Sequence, residues 1–244
     1  MQNIQRSISV DILRGLAVFL MVAFHFCYDL SHYGFADFDF YHDPFWLNFR
    51  IFIVCLFLLV SGISLRLASN NNVSGKHINK RLFILFGCAL LITISSWFIF
   101  PGRTIWFGII HLILFTSLIG MLFVRRPYLA LILGLTIIWA GNFIQFSLFN
   151  QPLLHWIGLM THKPATEDYA PLFPWLGVVF LGIYIAFLLE QTTLGMRFLS
   201  ASVNIPLRRS LIFAGRHSLL IYMIHQPILF SAVGAIRQML PATS

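Results

Sequence analysis

Charged residues are scarce in this chain: they make up 10% of its 244 residues, and only eight of them are acidic. A soluble domain usually carries about 25% charged residues, so most of this protein's surface cannot face water. The hydrophobic fraction is 59% and the mean hydropathy is +0.84. This composition excludes an ordinary soluble domain and predicts an integral membrane protein.

Cysteine is also rare. Cys27, Cys55 and Cys88 all lie in apolar stretches, and no Cys-x-x-Cys spacing occurs. Buried cysteine usually behaves as a small apolar residue, so the sequence predicts neither a disulfide nor a cysteine metal site. A small-x-small cleavage site is missing after the first apolar stretch, which is long enough to span a membrane. We therefore expect that stretch to be retained as a helix and not removed as a signal peptide.

Long apolar stretches dominate what is present. A helix needs roughly 20 mainly apolar residues to cross the hydrocarbon core, and seven stretches qualify. They run approximately over residues 11–33, 45–68, 82–100, 104–124, 127–149, 171–190 and 211–236. A membrane β-barrel would show alternating apolar residues instead. The sequence predicts an all-α membrane protein, a bundle of about seven transmembrane helices forming a single domain over residues 1–244.

The basic residues are distributed unequally between the predicted loops. With the N-terminus inside, twelve of the 16 basic residues fall on the cytoplasmic side, and the other four fall outside: Arg50, Arg103, Lys163 and Arg237. Cytoplasmic loops of membrane proteins carry an excess of Lys and Arg. The pattern predicts a cytoplasmic N-terminus and an external C-terminus, and it accounts for the net charge of +8 without a nucleic-acid partner.

The first predicted span contains three ionisable residues, which are costly inside a bilayer and indicate function. Arg14 and His25 are eleven residues apart, so they share one helix face about 16 Å apart along the axis. Asp29 lies one turn beyond His25, at the spacing where side chains on a helix meet. A carboxylate there can orient the imidazole and raise its basicity. Arg14 could instead reach the lipid headgroups, or pair with Asp11 three residues back.

Two further histidines are predicted at a similar depth. His111 should lie about 10 Å below the outer boundary, and His225 about 21 Å above the inner one. Arg50 is near the outer end of the second span, where it could bind a substrate or pair with Asp29. Each histidine could also be a hydrogen-bonding residue between helices. Imidazole with carboxylate would suit zinc, but the spacing contains no ligand motif, so we predict no metal.

Five stretches resemble the heparan-α-glucosaminide N-acetyltransferase catalytic-domain family, and in particular its small bacterial members. They are residues 9–30, 57–62, 106–111, 168–177 and 218–227. The spacing of Arg14 and His25, with ten residues between them, also resembles the signature of acyltransferase-3 membrane enzymes. The resemblance implies a transmembrane acyltransferase fold in a bacterial cytoplasmic (inner) membrane. It also implies that acetyl-CoA is used from the cytoplasmic side and that a sugar or glycan acceptor is modified on the other side.

We therefore expect an acetyltransferase that acts on an amine or hydroxyl of a sugar. His25 would be the general base, or be transiently acetylated, and Asp29 would orient it. Arg14 would bind the acetyl-CoA phosphates, and His111 and His225 would line the donor site. Arg50, Asp168 and Trp175 would bind the acceptor. The oligomeric state is left open, and a homo-oligomer is compatible with the sequence.

Two other classes of protein would also place polar residues inside spans. A proton-coupled or small-solute transporter would use His and Asp as a relay, although no two-fold repeat is visible. A membrane assembly partner would use them only to join helices.

Overall fold

The computed structural model of the protein describes residues 7–71, 74–201 and 206–240. All regular structure in these ranges is helical, as predicted. The α-helices are α1 (Ile8–His32), α2 (Pro44–Asn70), α3 (Gly75–Ile99), α4 (Ile109–Phe123), α5 (Pro127–Phe143), α6 (Leu172–Gln191), α7 (Thr193–Ser200), α8 (Arg208–Arg216) and α9 (Ser218–Met239). Two short 3₁₀ turns, Ser147–Asn150 and Pro152–Leu154, lie between α5 and α6. The predicted membrane orientation also used Arg6 and the position of the C-terminus, and both lie outside the described residues.

Within the described ranges, five helices are long and apolar enough to cross a bilayer: α1, α2, α3, α6 and α9. Helices α4 and α5 are also apolar, but they contain 15 and 17 residues. The expected length of a span is about 20 residues. The structure therefore supports five of the seven predicted spans by length and composition, and the other two stay predictions.

The predicted last span, 211–236, is wrong at its start. The chain forms the short basic helix α8, leaves helical geometry at His217 (φ −109°, ψ 21°), and begins α9 at Ser218. Arg216, His217 and Ser218 interrupt the apolar residues at this break, but the predicted span was drawn through them. His225 therefore lies seven residues into α9, about 10 Å along its axis, and not about 21 Å into one long helix.

The first helix shows how local sequence sets an element's ends. The side chain of Ser7 accepts a hydrogen bond from the backbone N–H of Val10 at 3.5 Å, and Asp11 lies in the first turn. Both features favour a helix N-terminus, because they satisfy free N–H groups and the positive end of the dipole. After the helix, Gly34 adopts φ +76°, a left-handed conformation that glycine adopts without strain.

The chain divides into two compact units, which we describe separately. The first is Leu58–Leu199, and the second combines Ser7–Phe57 with the described part of Ser200–Ser244. In the first unit α6 packs along both α5 and α4. A Cβ on Gly177 of α6 would lie 2.5 Å from the carbonyl oxygen of Gly134 on α5. Such small residues let the backbones of membrane helices approach closely.

A buried ion pair joins three helix ends in the first unit. Arg66 Nε donates to Glu190 Oε2 at 2.8 Å, and Arg66 Nη1 donates to the carbonyl oxygen of Val124. The amide of Asn70 donates to the other carboxylate oxygen of Glu190 at 2.7 Å. Since every partner is hydrogen-bonded, the pair meets the condition under which a buried charge is tolerated.

In the second unit α1 packs against α8 and α9. The α1–α8 contact is reciprocal: a Cβ on Gly15 would overlap the carbonyl oxygen of Leu211, and one on Gly215 would overlap that of Asp11. The two backbones therefore touch directly at both glycines. This contact fixes the N-terminal part of α1 and thereby the helix that carries His25 and Asp29.

An aromatic core supports the other end of α1. Phe24 and Phe40 are buried with ring centroids 5.2 Å apart, and Trp46 lies 4.3 Å from Phe40. Phe40 belongs to the loop between α1 and α2. In this loop the backbone N–H groups of Tyr41 and His42 donate to the Asp39 carboxylate, and these bonds hold its pKa below the usual value. The loop is thus folded onto α1 next to His25.

We expect Gly215→Ala to lower the melting temperature of the purified protein, because the new methyl group must push α1 and α8 apart. Overpacking typically costs about 1–3 kcal/mol. The matched control is Gly87→Ala on α3, since nothing lies within 4 Å of the corresponding Cβ position. There alanine should stabilise the helix slightly, by up to about 1 kcal/mol. Equal melting temperatures for the two variants would contradict the close α1–α8 contact.

Candidate functional site

Two histidines meet in the second unit. The rings of His25 on α1 and His225 on α9 have centroids 4.9 Å apart and an interplanar angle of 66°. His225 is buried and His25 is half-buried. Phe24 of the aromatic core also contacts His25 edge-on, with centroids 5.7 Å apart. Two imidazoles from helices far apart in sequence thus form one pair.

Asp29 lies next to this pair and is fully buried. Its Oδ1 accepts a hydrogen bond from the side-chain Nε2 of Gln226 on α9, at 2.8 Å. Gln226 follows His225 directly in α9. Helix α1 therefore contributes His25 and the acceptor of this hydrogen bond, and α9 contributes His225 and the donor. The bond to Gln226 gives Asp29 a role in joining the helices, and the predicted orientation of His25 by Asp29 stays a prediction.

Unpaired polar atoms are concentrated in this cluster. Six buried side-chain polar atoms of the described residues lack a hydrogen-bond partner, and three of them are Asp29 Oδ2, His225 Nε2 and Gln226 Oε1. Buried polar groups are nearly always hydrogen-bonded, and exceptions often mark functional sites. The cluster is therefore the strongest candidate site in this unit.

Arg14 lies toward the N-terminal end of the same helix. Its Nη1 donates to Asp11 Oδ1 at 3.0 Å and to the carbonyl oxygen of Gly215 at 3.5 Å. Asp11 is buried, and its second oxygen accepts from Arg216 Nε at 3.3 Å. The alternative partner considered for Arg14 is thus present, and a second arginine shares it. A role for Arg14 with phosphates stays a prediction.

Two other predicted acceptor residues are not part of these clusters. Arg50 is exposed on α2 in the second unit, and Trp175 is half-buried on α6 in the first unit. Nothing in their described contacts assigns either one a ligand.

His111 forms a local network in the first unit. It lies in the first turn of α4, because this helix starts at Ile109 and not near 104 as predicted. Its Nδ1 accepts from the backbone N–H of Gly108 at 3.3 Å, and its Nε2 lies 3.0 Å from Thr93 Oγ1. The Thr93 hydroxyl donates to Ile105 O at 2.9 Å, so it accepts the proton of His111 Nε2. Both ring nitrogens thus stabilise the turn before α4. His111 therefore behaves as a hydrogen-bonding residue, the alternative to a role in the donor site.

Asp168 completes the same turn. Its Oδ2 accepts a hydrogen bond from the backbone N–H of Ile109 at 2.9 Å, and Gly108 leaves the room that this carboxylate occupies. A carboxylate at a helix N-terminus satisfies a free N–H group and the helix dipole. Asp168 therefore acts as a cap for α4, and acceptor binding by it stays a prediction.

Comparison with known protein families decides the class of the protein. The profile of the heparan-alpha-glucosaminide N-acetyltransferase catalytic family matches residues 6–227, which is most of the chain. The chain belongs to this family. Searches of curated proteins and of solved structures gave no match.

Membership in the N-acetyltransferase family confirms the main resemblance found in the sequence and makes the protein a membrane acetyltransferase by family. The likeness of the Arg14–His25 spacing to acyltransferase-3 enzymes stays a prediction. The matched range contains every predicted site residue and ends at Pro227, two positions after His225. Among the described residues, no group of three or more His, Cys, Asp or Glu side chains could hold a metal ion.

Sequence reasoning missed Gln226 and gave Arg216 no role. Gln226 is a polar side chain within the apolar stretch of the last span, which was a usable signal. Its contact with Asp29, however, depends on how α1 and α9 pack. Arg216 was counted only as a cytoplasmic charge, because its position relative to Asp11 follows from the separate helix α8.

We expect Asp168→Ala to lower the melting temperature, since removal of a helix cap costs about 0.5–2 kcal/mol. Asp168→Asn should retain most of the stability, because its amide oxygen can still accept from Ile109. Glu167→Ala is the control: its pair with Arg103, at 3.0 Å, is partly exposed, and such pairs contribute about 0–1 kcal/mol. An Asp168→Ala variant as stable as Glu167→Ala would argue against the cap.

Proposed function

We propose that the protein transfers the acetyl group of acetyl-CoA, taken from the cytoplasmic side, to an amine or hydroxyl of a sugar or glycan. The acceptor is modified on the outer face of a bacterial cytoplasmic membrane. The observation that supports this proposal best is the pair of His25 and His225 beside the buried Asp29. Acetyl transfer requires a residue that accepts a proton from the acceptor, and imidazole does this best near neutral pH.

The proposed roles follow the sequence analysis. His25 is the general base, and transient acetylation of its ring is the alternative. Arg14 holds the phosphates of acetyl-CoA, while His111 and His225 line the donor side. Arg50, Asp168 and Trp175 bind the acceptor.

The length of α1 is consistent with phosphate binding at Arg14 and acetyl transfer at His25. Acetyl-CoA places its phosphates and its thioester at opposite ends of a long thin arm. Arg14 and His25 lie on one helix, about 16 Å apart along its axis. A donor whose phosphates contact Arg14 can therefore bring its thioester toward His25.

The first experiment is a thermal-shift measurement on the purified protein with acetyl-CoA, followed by mass spectrometry of glucosamine incubated with both. We expect stabilisation by acetyl-CoA and formation of acetylated glucosamine, with glucose as a hydroxyl-only comparison. Binding of a ligand to the folded state alone raises stability. A transporter of another solute, or an assembly partner, would show neither effect.

The proposed orientation is tested separately. A reporter fused after Ser244 should be active only outside the cytoplasm, because the excess of basic residues predicts an external C-terminus. A fusion in the connection between α2 and α3 should give the opposite result and serves as the control. Cytoplasmic activity of the C-terminal fusion would require an even number of spans, and the proposed outer location of the acceptor would fail.

A further inference from the structure

One ring nitrogen of His225 forms a hydrogen bond, and the other forms none with the described residues. Its Nδ1 lies 2.7 Å from the backbone carbonyl oxygen of Tyr222, one turn earlier in α9. A carbonyl oxygen can only accept, so Nδ1 must carry the proton of this bond. In the neutral ring, Nε2 then has no proton and presents a lone pair. This Nε2 is buried and has no hydrogen-bond partner among the residues that the structure describes.

Two other residues of the cluster also carry unpaired buried atoms. The other two unpaired atoms of the cluster are Asp29 Oδ2 and Gln226 Oε1. The Gln226 amide donates through its nitrogen, so its oxygen is an acceptor, as is an ionised carboxylate oxygen. All three atoms therefore call for a hydrogen donor, which an amine or hydroxyl brings and a thioester does not.

We infer that His225 is a catalytic base of the acetyl transfer, and not a residue that only lines the donor site. This inference rests on the proposed function. The bond from Nδ1 to the Tyr222 carbonyl plays the part that the carboxylate plays in a catalytic triad, because it fixes the tautomer and stabilises the imidazolium. In this inference His225 takes the proton that the proposed function gives to His25. His25 remains necessary as the ring packed against His225 or, in the alternative above, as the acetyl carrier.

Direct acetyl transfer from the thioester to the acceptor needs no base other than His225. The lone pair of the acceptor nitrogen or oxygen attacks the carbonyl carbon of the thioester, and His225 Nε2 takes the proton that this atom loses. The carbon–sulfur bond breaks, and its electron pair goes to the sulfur. The imidazolium then returns the proton to the thiolate, which leaves an acetylated acceptor, CoA thiol and the original neutral ring.

The test uses His225→Asn in the full-length protein. The asparagine amide can still donate to the Tyr222 carbonyl, but it has nothing at the position of Nε2. We expect kcat for glucosamine acetylation to fall about 10²- to 10⁴-fold, while KM for acetyl-CoA stays within about twofold. The matched control is His217→Asn, since exposed His217 also bonds a backbone carbonyl through Nδ1, that of Phe213 at 2.9 Å. It should keep wild-type kcat.

The outcomes separate this inference from the proposed function. A raised KM for acetyl-CoA with kcat retained would show donor binding and overturn the base role, as would a kcat within tenfold of wild type. Nitrogen-15 NMR of histidine-labelled protein gives a second readout, because the His225 signals should show a protonated Nδ1 and an unprotonated Nε2. The reverse tautomer would also overturn it. If wild-type protein neither binds acetyl-CoA nor acetylates glucosamine, the proposed function itself fails.

Discussion

Replacing His25 with alanine should reduce acetyl transfer by about 10²- to 10⁴-fold, the usual contribution of a general base. The ring is half-buried and contacts His225 and Phe24, so its loss removes chemistry without opening a large cavity. Initial rates with acetyl-CoA and glucosamine would measure the effect. His162→Ala, which removes an exposed histidine of the loop before α6, should leave the rate unchanged. A His25→Ala variant that keeps more than about a tenth of wild-type turnover would exclude the base role.

The neighbouring carboxylate should matter less. Asp29→Asn retains an oxygen that can accept the hydrogen bond from Gln226, so α1 and α9 should stay joined. The variant also retains the His25 ring, and we expect a smaller loss of turnover than in His25→Ala. Wild-type turnover in Asp29→Asn would reduce Asp29 to a structural partner of Gln226.

The second large effect is expected at Arg14. If its guanidinium binds the phosphates of acetyl-CoA, Arg14→Ala should weaken acetyl-CoA binding about 10- to 150-fold, since a hydrogen bond to a charged group contributes about 1.5–3 kcal/mol. Arg14→Lys should restore only part, because lysine keeps the charge and loses the planar fork. Acceptor affinity should hardly change. Calorimetric titration with acetyl-CoA and with glucosamine would measure both affinities.

The ion pair of Arg14 with Asp11 makes a stability control necessary. Asp11→Ala removes the partner that Arg14 and Arg216 share and leaves both guanidinium groups in place. We expect this variant to melt at a lower temperature while it still binds acetyl-CoA. If Arg14→Ala also melts lower but binds acetyl-CoA with unchanged affinity, Arg14 is a structural residue and the phosphate role is wrong.

The helical class and the five longest spans could be predicted because length and apolarity are properties of a continuous segment. The break at His217 was missed because the predicted span was drawn through Arg216, His217 and Ser218, although these polar residues were a usable signal. The predicted start of α4 was too early for a different reason. The residues before Ile109 are apolar, but they form a turn held by His111 and Asp168.

The candidate site was predictable where it lies on one helix. The spacing of Arg14, His25 and Asp29 follows from helix geometry alone, and it places them along α1. Contacts between helices do not follow from spacing. The meeting of His25 with His225, and of Asp29 with Gln226, depends on how α1 and α9 pack together, and a single sequence contains no signal for that.

The distance along the chain between α1 and its partners has a consequence for biosynthesis. Asp29 and Gln226 are 197 residues apart, and a ribosome adds about 5–20 residues per second. Helix α1 therefore leaves the ribosome roughly 10 to 40 s before the helix that completes it. During that interval the Asp29 carboxyl lacks the Gln226 amide, and Gly15 lacks the backbone of α8. A chain truncated before residue 208 would therefore keep α1 permanently without both of these partners.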